Sequence, residues 1–222
     1  MSYTDFDEIK IIIEVEGELI AETPIRIGAG RREEAYGLVD NPLLRIPRMK
    51  GNIIESIPYI PGSSLKGVLR TECELIAKSI SEIPNNKLNE IVEGIFGSQE
   101  LASHIICFDA YPISQVITFV KPGIRVNRTL ASVHPGGLYK EEYIAPGTLF
   151  KFKLRIINID LDSDEDIRAR LLRALLHKMK EHGIQIGGRK SIGAGLVKLR
   201  KCTIRKFTLE KGEIKKISET EF

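Results

Sequence analysis

The chain has 222 residues, 42% of them hydrophobic, and a formal net charge of +3, which is length enough for a sizeable core and an ordinary composition for a globular domain. No apolar run approaches the roughly 20 residues of a membrane span, and the acidic opening Met1-Ser2-Tyr3-Thr4-Asp5 lacks the basic-then-apolar layout of a signal peptide. Cys73, Cys107 and Cys202 lie far apart in apolar settings, a pattern that argues against a disulfide or metal framework and for free thiols in a reducing cytoplasm.

Ile9 to Ala21 alternates, with Ile11, Ile13, Val15 and Leu19 on one side and Ile12, Glu14, Glu16 and Glu18 on the other, which predicts a half-exposed strand. Pro24 to Tyr59 is rich in Gly, Pro and Arg and too long for a plain connection. It leads into Pro58-Tyr59-Ile60-Pro61-Gly62-Ser63-Ser64-Leu65-Lys66-Gly67-Val68-Leu69-Arg70. Pro61 restricts Ile60 to extended backbone, and Ser63 or Ser64 stands where a helix cap belongs. The helix itself is predicted over Ser64 to Ile80, from Leu65, Leu69, Cys73, Ile76 and Ile80.

His104 to Ala110 and Ile113 to Val120 read as strands. Lys121 to Tyr143 is a second over-long connection, strand-like around Asn127-Arg128-Thr129 with a turn at Pro135-Gly136-Gly137, and predicts a protruding β-hairpin. Thr148 to Ile159 alternates Phe150, Phe152, Leu154 and Ile156 with Lys151, Lys153 and Arg155. Ser163 as N-cap, with Asp166 near the first turn, opens a helix through Ile167, Leu171, Leu172, Leu175, Leu176 and Met179 that stops at Gly183. Leu196 to Phe207 is a final strand or pair of strands. The order strand, helix, strand, strand, helix, strand predicts one α+β domain of the ferredoxin-like, RRM-like βαββαβ type, with insertions at about residues 24–59 and 121–143.

Charge is segregated along the chain. Three stretches, Asn41 to Ile54, Ala110 to Lys140 and Gly183 to Leu209, contain cations and no Asp or Glu, while carboxylates gather at Glu14 to Glu18, at Asp160 to Asp166 and at the two ends. That pattern suits a polyanion surface or a merely solvated basic face. A helix start with hydroxyls, a Gly, Lys66 and Arg70 suits a phosphate, or is an ordinary capped junction. The run Gly187-Gly188-Arg189-Lys190-Ser191-Ile192-Gly193-Ala194-Gly195 is not a P-loop. Arg189 and Lys190 stand where Lys and Ser/Thr belong, and the run follows a helix instead of a strand. What it offers is backbone open to close approach, with Arg189, Lys190 and Ser191 as donors.

The first strand presents carboxylates where an RRM presents stacking aromatics, and Phe150 and Phe152 share the parity of core residues, so binding is expected at loops and helix starts. His104, His134, His177 and His182 show no metal-ligand spacing, and Asp109 reads as a turn cap. Asp40, alone before a basic stretch, can hold a divalent ion or orient a ribose 2′-hydroxyl for attack on its own phosphate. On chemistry alone the turn residue of an Asp-Asn-Pro sequence is the preferred reading.

Pro58 to Arg70 resembles the signature of the RAMP superfamily of CRISPR-associated proteins, and the glycine-rich run near the C-terminus fits the same family. Their order and spacing resemble most the backbone subunit of type III (Csm/Cmr-type) effector complexes. The resemblance covers nearly the whole chain and implies an RRM-like palm with a thumb hairpin over about Lys121 to Tyr143. It also implies stacking of copies into a filament on CRISPR RNA, association with other type III subunits, and pairing of the guide with target RNA. Gly37, Asp40, Pro42 and Arg45 match the loop whose Asp cuts target RNA in that family, which implies a catalytic Asp40 working with a divalent metal such as Mg2+. Arg26, Arg45, Ser63, Ser64, Lys66, Arg70, Asn127, Arg128, Gly187, Gly188, Arg189, Lys190 and Ser191 are the RNA-binding set that follows. Relatives often carry His where this chain has Arg26. The alternative within the family is a scaffold that binds CRISPR RNA without cutting; a CRISPR RNA-processing nuclease would want a His acid–base site, which the scattered histidines do not make.

Overall fold

A computed structural model describes residues 8–29, 39–80, 84–127, 129, 132–210 and 212–222, the side chains of Asn85 and Glu210 apart. Gly37 and Arg128 of the sequence-derived site lie outside the described residues. In chain order the elements are β1 (Ile11–Ala21), β2 (Arg45–Lys50), β3 (Ile53–Pro58), α1 (Gly62–Ser79), α2 (Asn85–Phe96), β4 (Ile105–Cys107) and β5 (Thr118–Asn127). Then come β6 (Ser132–Ile144), β7 (Leu149–Ile157), α3 (Ile167–Glu181), β8 (Ile184–Gln185), a 3-10 turn at Lys190–Ile192, β9 (Leu196–Glu210) and β10 (Glu213–Glu221).

The main sheet runs β10-β9-β1-β7-β4, with β8 also on β9, and its pairings are antiparallel. Removing β10 and β8 leaves β9-β1-β7-β4, the strand order of a βαββαβ unit in which α1 joins β1 to β4 and α3 joins β7 to β9. The period of two in β1 and β7 turns Ile13, Val15, Leu19, Phe150, Phe152, Leu154 and Ile156 to one face, all buried. Leu65, Leu69, Cys73 and Ala77 of α1 and Leu171, Leu172, Leu175, Leu176 and Met179 of α3 join them in one core. Each large apolar side chain so buried contributes about 1.5–3 kcal/mol.

The opposite face of the sheet is closed by charge pairing. Register sets Glu14 between Arg155 and Arg205, and Glu16 beside Lys153. Glu14 Oε1 accepts from Arg155 Nη2 at 2.6 Å, and Glu16 takes Lys153 at 2.9 Å and Arg205 at 3.0 Å. The Arg155 hydrogen bond holds the Glu14 carboxyl below its ordinary value, and the Lys153 hydrogen bond does the same for Glu16. A face on which carboxylates already neutralise the cations presents little to a polyanion.

The structure corrects several expected boundaries. The connection over 24–59 holds a two-stranded β2–β3 hairpin. The strand expected over Ile113 to Val120 lies further on, as β5, and belongs to a separate hairpin with β6. The Pro135-Gly136-Gly137 turn is a bulge in β6: Ile124 pairs Leu138 and Val126 pairs Val133, so Arg125 is opposed by four residues. Ser63 and Ser64 do not cap α1. Its N-cap is Pro61, without a side-chain bond, and Gly62 N–H instead donates to Asp109 Oδ1 at 2.7 Å. Asp166, not Ser163, caps α3 by accepting from Arg168 N–H, while Ser163 Oγ accepts from Asp166 N–H one step earlier.

Candidate functional site

The base of the β5–β6 hairpin gathers four of the residues singled out by sequence, Arg26, Asp40, Arg45 and Arg189. Three consecutive residues of β6 do the gathering. Lys140 N–H donates to Asp40 Oδ2 at 2.7 Å, and Lys140 O accepts from Asp40 N–H at 3.1 Å and from Asn41 N–H at 3.2 Å. Glu141, with 6% of its side chain exposed, takes Arg189 through Nε at 3.0 Å and Nη2 at 3.0 Å, and faces Arg26 Nε at 3.3 Å. Glu142 accepts from Leu43 N–H at 3.0 Å and from Arg45 Nη2 at 2.5 Å.

Burial works to raise both carboxyls, and the hydrogen bonds and cations outweigh it. Arg189, Arg26 and Tyr143 hold Glu141 below its ordinary range, and Leu43 N–H, Thr118 and Arg45 do so for Glu142. Arg26, Arg45 and Arg189 are therefore committed to carboxylates of the hairpin. Arg189 also lies over the Tyr139 ring, 5.2 Å from its centroid. Asp40 is exposed and, among the described residues, its Oδ1 has no protein donor. Neither Glu141 nor Glu142 was singled out by sequence. The signal was the abrupt end of the acid-free stretch at Glu141-Glu142.

The glycine-rich run packs against the connection after β1. Gly188 N–H donates to Arg26 O at 2.8 Å and Gly195 N–H to Pro24 O at 2.8 Å. Gly187 has φ +73°, and a Cβ there would stand 2.2 Å from Arg26 O, so only glycine fits. The close approach that the run permits is thus, at this position, to the chain's own backbone. Lys190 and Ser191 lie in the exposed 3-10 turn, and Ile192 beside them is 65% exposed.

The start of α1 forms a second group. Ser63, Lys66, Gly67 and Arg70 line one wall of a depression of about 640 Å3, and Phe96 to Gln99 with Leu101 to Ser103 line the other. Arg70 is held there by Glu74 at 3.3 Å and by Gly97 O at 2.9 Å. Asp109 occupies the Gly62 amide, which leaves the cation and hydroxyls of this wall, not the first amide, to meet a phosphate. β3 links the two groups, since Arg45 pairs with Pro58 four residues before Gly62. That span is at most about 14 Å of extended chain. Asn127 sits at the far end of the hairpin, where its Oδ1 accepts from Thr129 N–H at 3.0 Å.

Among the described residues, Lys66, Lys121, Arg125, Lys140 and Lys190 make no ion pair. No three His, Cys, Asp or Glu side chains among the described residues form a metal cluster. Burial pushes the Cys73 and Cys107 thiols up to about 12 and Cys202 to about 11; all three are free.

The model of the RAMP superfamily matches residues 18–198. The chain is 25% identical over 227 residues to the CRISPR system Cms endoribonuclease Csm3 of Methanothermobacter thermautotrophicus, covering 88% of this chain and 86% of that one. It is 28% identical to the CRISPR system Cmr endoribonuclease Cmr4 of Pyrococcus furiosus over 66% of this chain and 45% of that one. In fold it is similar to a chain of a type III-B Cmr-beta complex in the apo state, with a TM-score of 0.60 and 16% identity over 84% of this chain and 96% of that chain.

Proposed function

The chain belongs to the RAMP superfamily, and on that premise we propose that it is a backbone subunit of a type III CRISPR effector, binding CRISPR RNA and cutting the paired target RNA at Asp40. The supporting observation is the setting of Asp40: an exposed carboxylate held by Lys140 N–H at the root of a protruding hairpin, with Oδ1 open. Sequence is read by base pairing with the guide, while the protein grips phosphates and shape. Lys66 with Ser63 and Ser64 contacts the guide backbone at the α1 wall, and Lys190 with Ser191 does so from the glycine-rich turn. The β5–β6 hairpin acts as the thumb, with Asn127 near its tip. Copies of the chain stack along the guide beside other type III subunits.

One carboxylate with an open oxygen fits a divalent ion such as Mg2+, which keeps its waters and takes phosphate oxygens as further ligands. Such an ion would supply Lewis-acid stabilisation of phosphate charge. Asp40 itself orients the attacking ribose 2′-hydroxyl. Lys140, whose side chain is unpaired among the described residues, stands next along the chain from Glu141 to offset phosphate charge.

The test is cleavage of labelled target RNA by the guide-loaded complex in Mg2+, comparing wild type with Asp40→Ala. Cutting by wild type, with target binding kept and cutting lost in the variant, is the expected result. Absence of cutting by both assigns the chain to the scaffold role, and equal cutting by both removes Asp40.

A further inference from the structure

We propose that Glu141 is a positioning residue for Asp40: it locks the β6 segment that carries Asp40 by gathering Arg26 and Arg189 from two other parts of the chain. This rests on the reading of Asp40 as the cutting residue.

Residues 40 and 41 attach to β6 through its backbone at one level. Lys140 O accepts both their N–H groups, Asn41 O accepts from Glu142 N–H at 3.2 Å, and Lys140 N–H takes the Asp40 carboxylate. Wherever residues 140–142 go, Asp40 goes. Successive side chains of a strand alternate, so Glu141 anchors this level from one face and Glu142 from the other. On the Glu142 face the anchors are Arg45 and the Leu43 amide. On the Glu141 face they are Arg189, Arg26 and the Tyr143 hydroxyl at 3.1 Å.

The Glu141 anchor is the deeper. Its carboxylate is nearly buried, and Arg26 Nε is buried with no hydrogen bond among the described residues, so the negative charge of Glu141 compensates that guanidinium. Tyr139 reinforces the lock. Its ring lies against Gly123, where a Cβ would meet Tyr139 at 2.3 Å, and Arg189 stands over it. The glycine-rich turn is therefore fastened to the hairpin through Arg189, and any displacement of either is passed to the backbone that holds Asp40.

Glu141→Gln keeps the side chain's shape and removes its charge. In the guide-loaded complex, single-turnover cutting should fall by about 10- to 100-fold, the scale expected when a reacting group is misplaced by about 1 Å, while target binding stays within about twofold of wild type. In the isolated chain, amide exchange of the segment 39–45 should quicken by about tenfold as local opening becomes easier. Arg189→Gln, whose side chain is 39% exposed, should shift both readouts in the same direction and serves if Glu141→Gln fails to fold. Glu16→Gln, which breaks the pairs with Lys153 and Arg205 on the main sheet, should move neither.

Wild-type exchange and wild-type cutting in Glu141→Gln would overturn the proposal, as would equal losses from Glu16→Gln. Faster exchange with Asp40→Ala still cutting would uphold the positioning and remove the Asp40 reading, so the two failures are distinguishable.

Discussion

Replacing Gly187 by Ala probes the contact that seats the glycine-rich run. The residue has φ +73°, and an added Cβ would come 2.2 Å from Arg26 O. Left-handed backbone costs an L-residue roughly 1–2 kcal/mol. Relieving the overlap must also lengthen the 2.8 Å bond from Gly188 N–H to Arg26 O, a net loss of about 1 kcal/mol, with about another 1 kcal/mol for the displaced backbone. The sum is about 3–4 kcal/mol. Gly193 is the control, because it has φ +82° and nothing within 4 Å of its Cβ position. Gly193→Ala should therefore lose only the roughly 1–2 kcal/mol of the left-handed term. Urea unfolding of both variants against wild type reads the difference as a shift in midpoint at constant slope. Equal midpoints for the two variants would refute the argument that backbone contact, not turn geometry alone, requires glycine at 187.

Acid should weaken the fold. The Glu14, Glu16, Glu141 and Glu142 carboxyls lie below their ordinary 4.5 in the folded chain, so their contribution is full above that value and is lost as pH falls through the folded values; unfolding free energy that rose below pH 4.5 would contradict this. Burial raises the thiols, and Cys73 and Cys202 are buried while Cys107 is half-buried, so Ellman's reagent at pH 8 should label Cys73 and Cys202 in denaturant and not in the native chain; rapid native labelling of either would place it outside the core. Lys66→Ala should weaken RNA binding without sequence bias and lower the salt slope by about one unit, and an unchanged slope would remove Lys66 from the interface.

The elements that sequence made legible are those with one buried face and a strict period. β1, β7, α1 and α3 all bury one side in the shared core. β10 carries no such pattern, because each of its residues is exposed. In β2 and β3 the large apolar residues Met49, Ile53 and Ile54 point to solvent, so burial writes no alternation into that hairpin. α2 carries its signal too, Leu88, Ile91, Val92 and Ile95 at helical spacing, but within a stretch, Ile80 to His104, to which no element is assigned from sequence.

At the site, sequence offered the charges and not their partners. Arg189 meets Glu141 across 48 residues, and Arg45 meets Glu142 across 97, distances along the chain at which only the fold decides contact. The same applies to Asp109, which reads as a turn cap and proves to serve the first amide of α1, 47 residues away.

The most direct test of the central claim is native mass measurement of the purified chain with and without guide RNA. The account predicts RNA-dependent species that rise in steps of one chain, 24.9 kDa, on a single RNA molecule. A mass unchanged by RNA would contradict it.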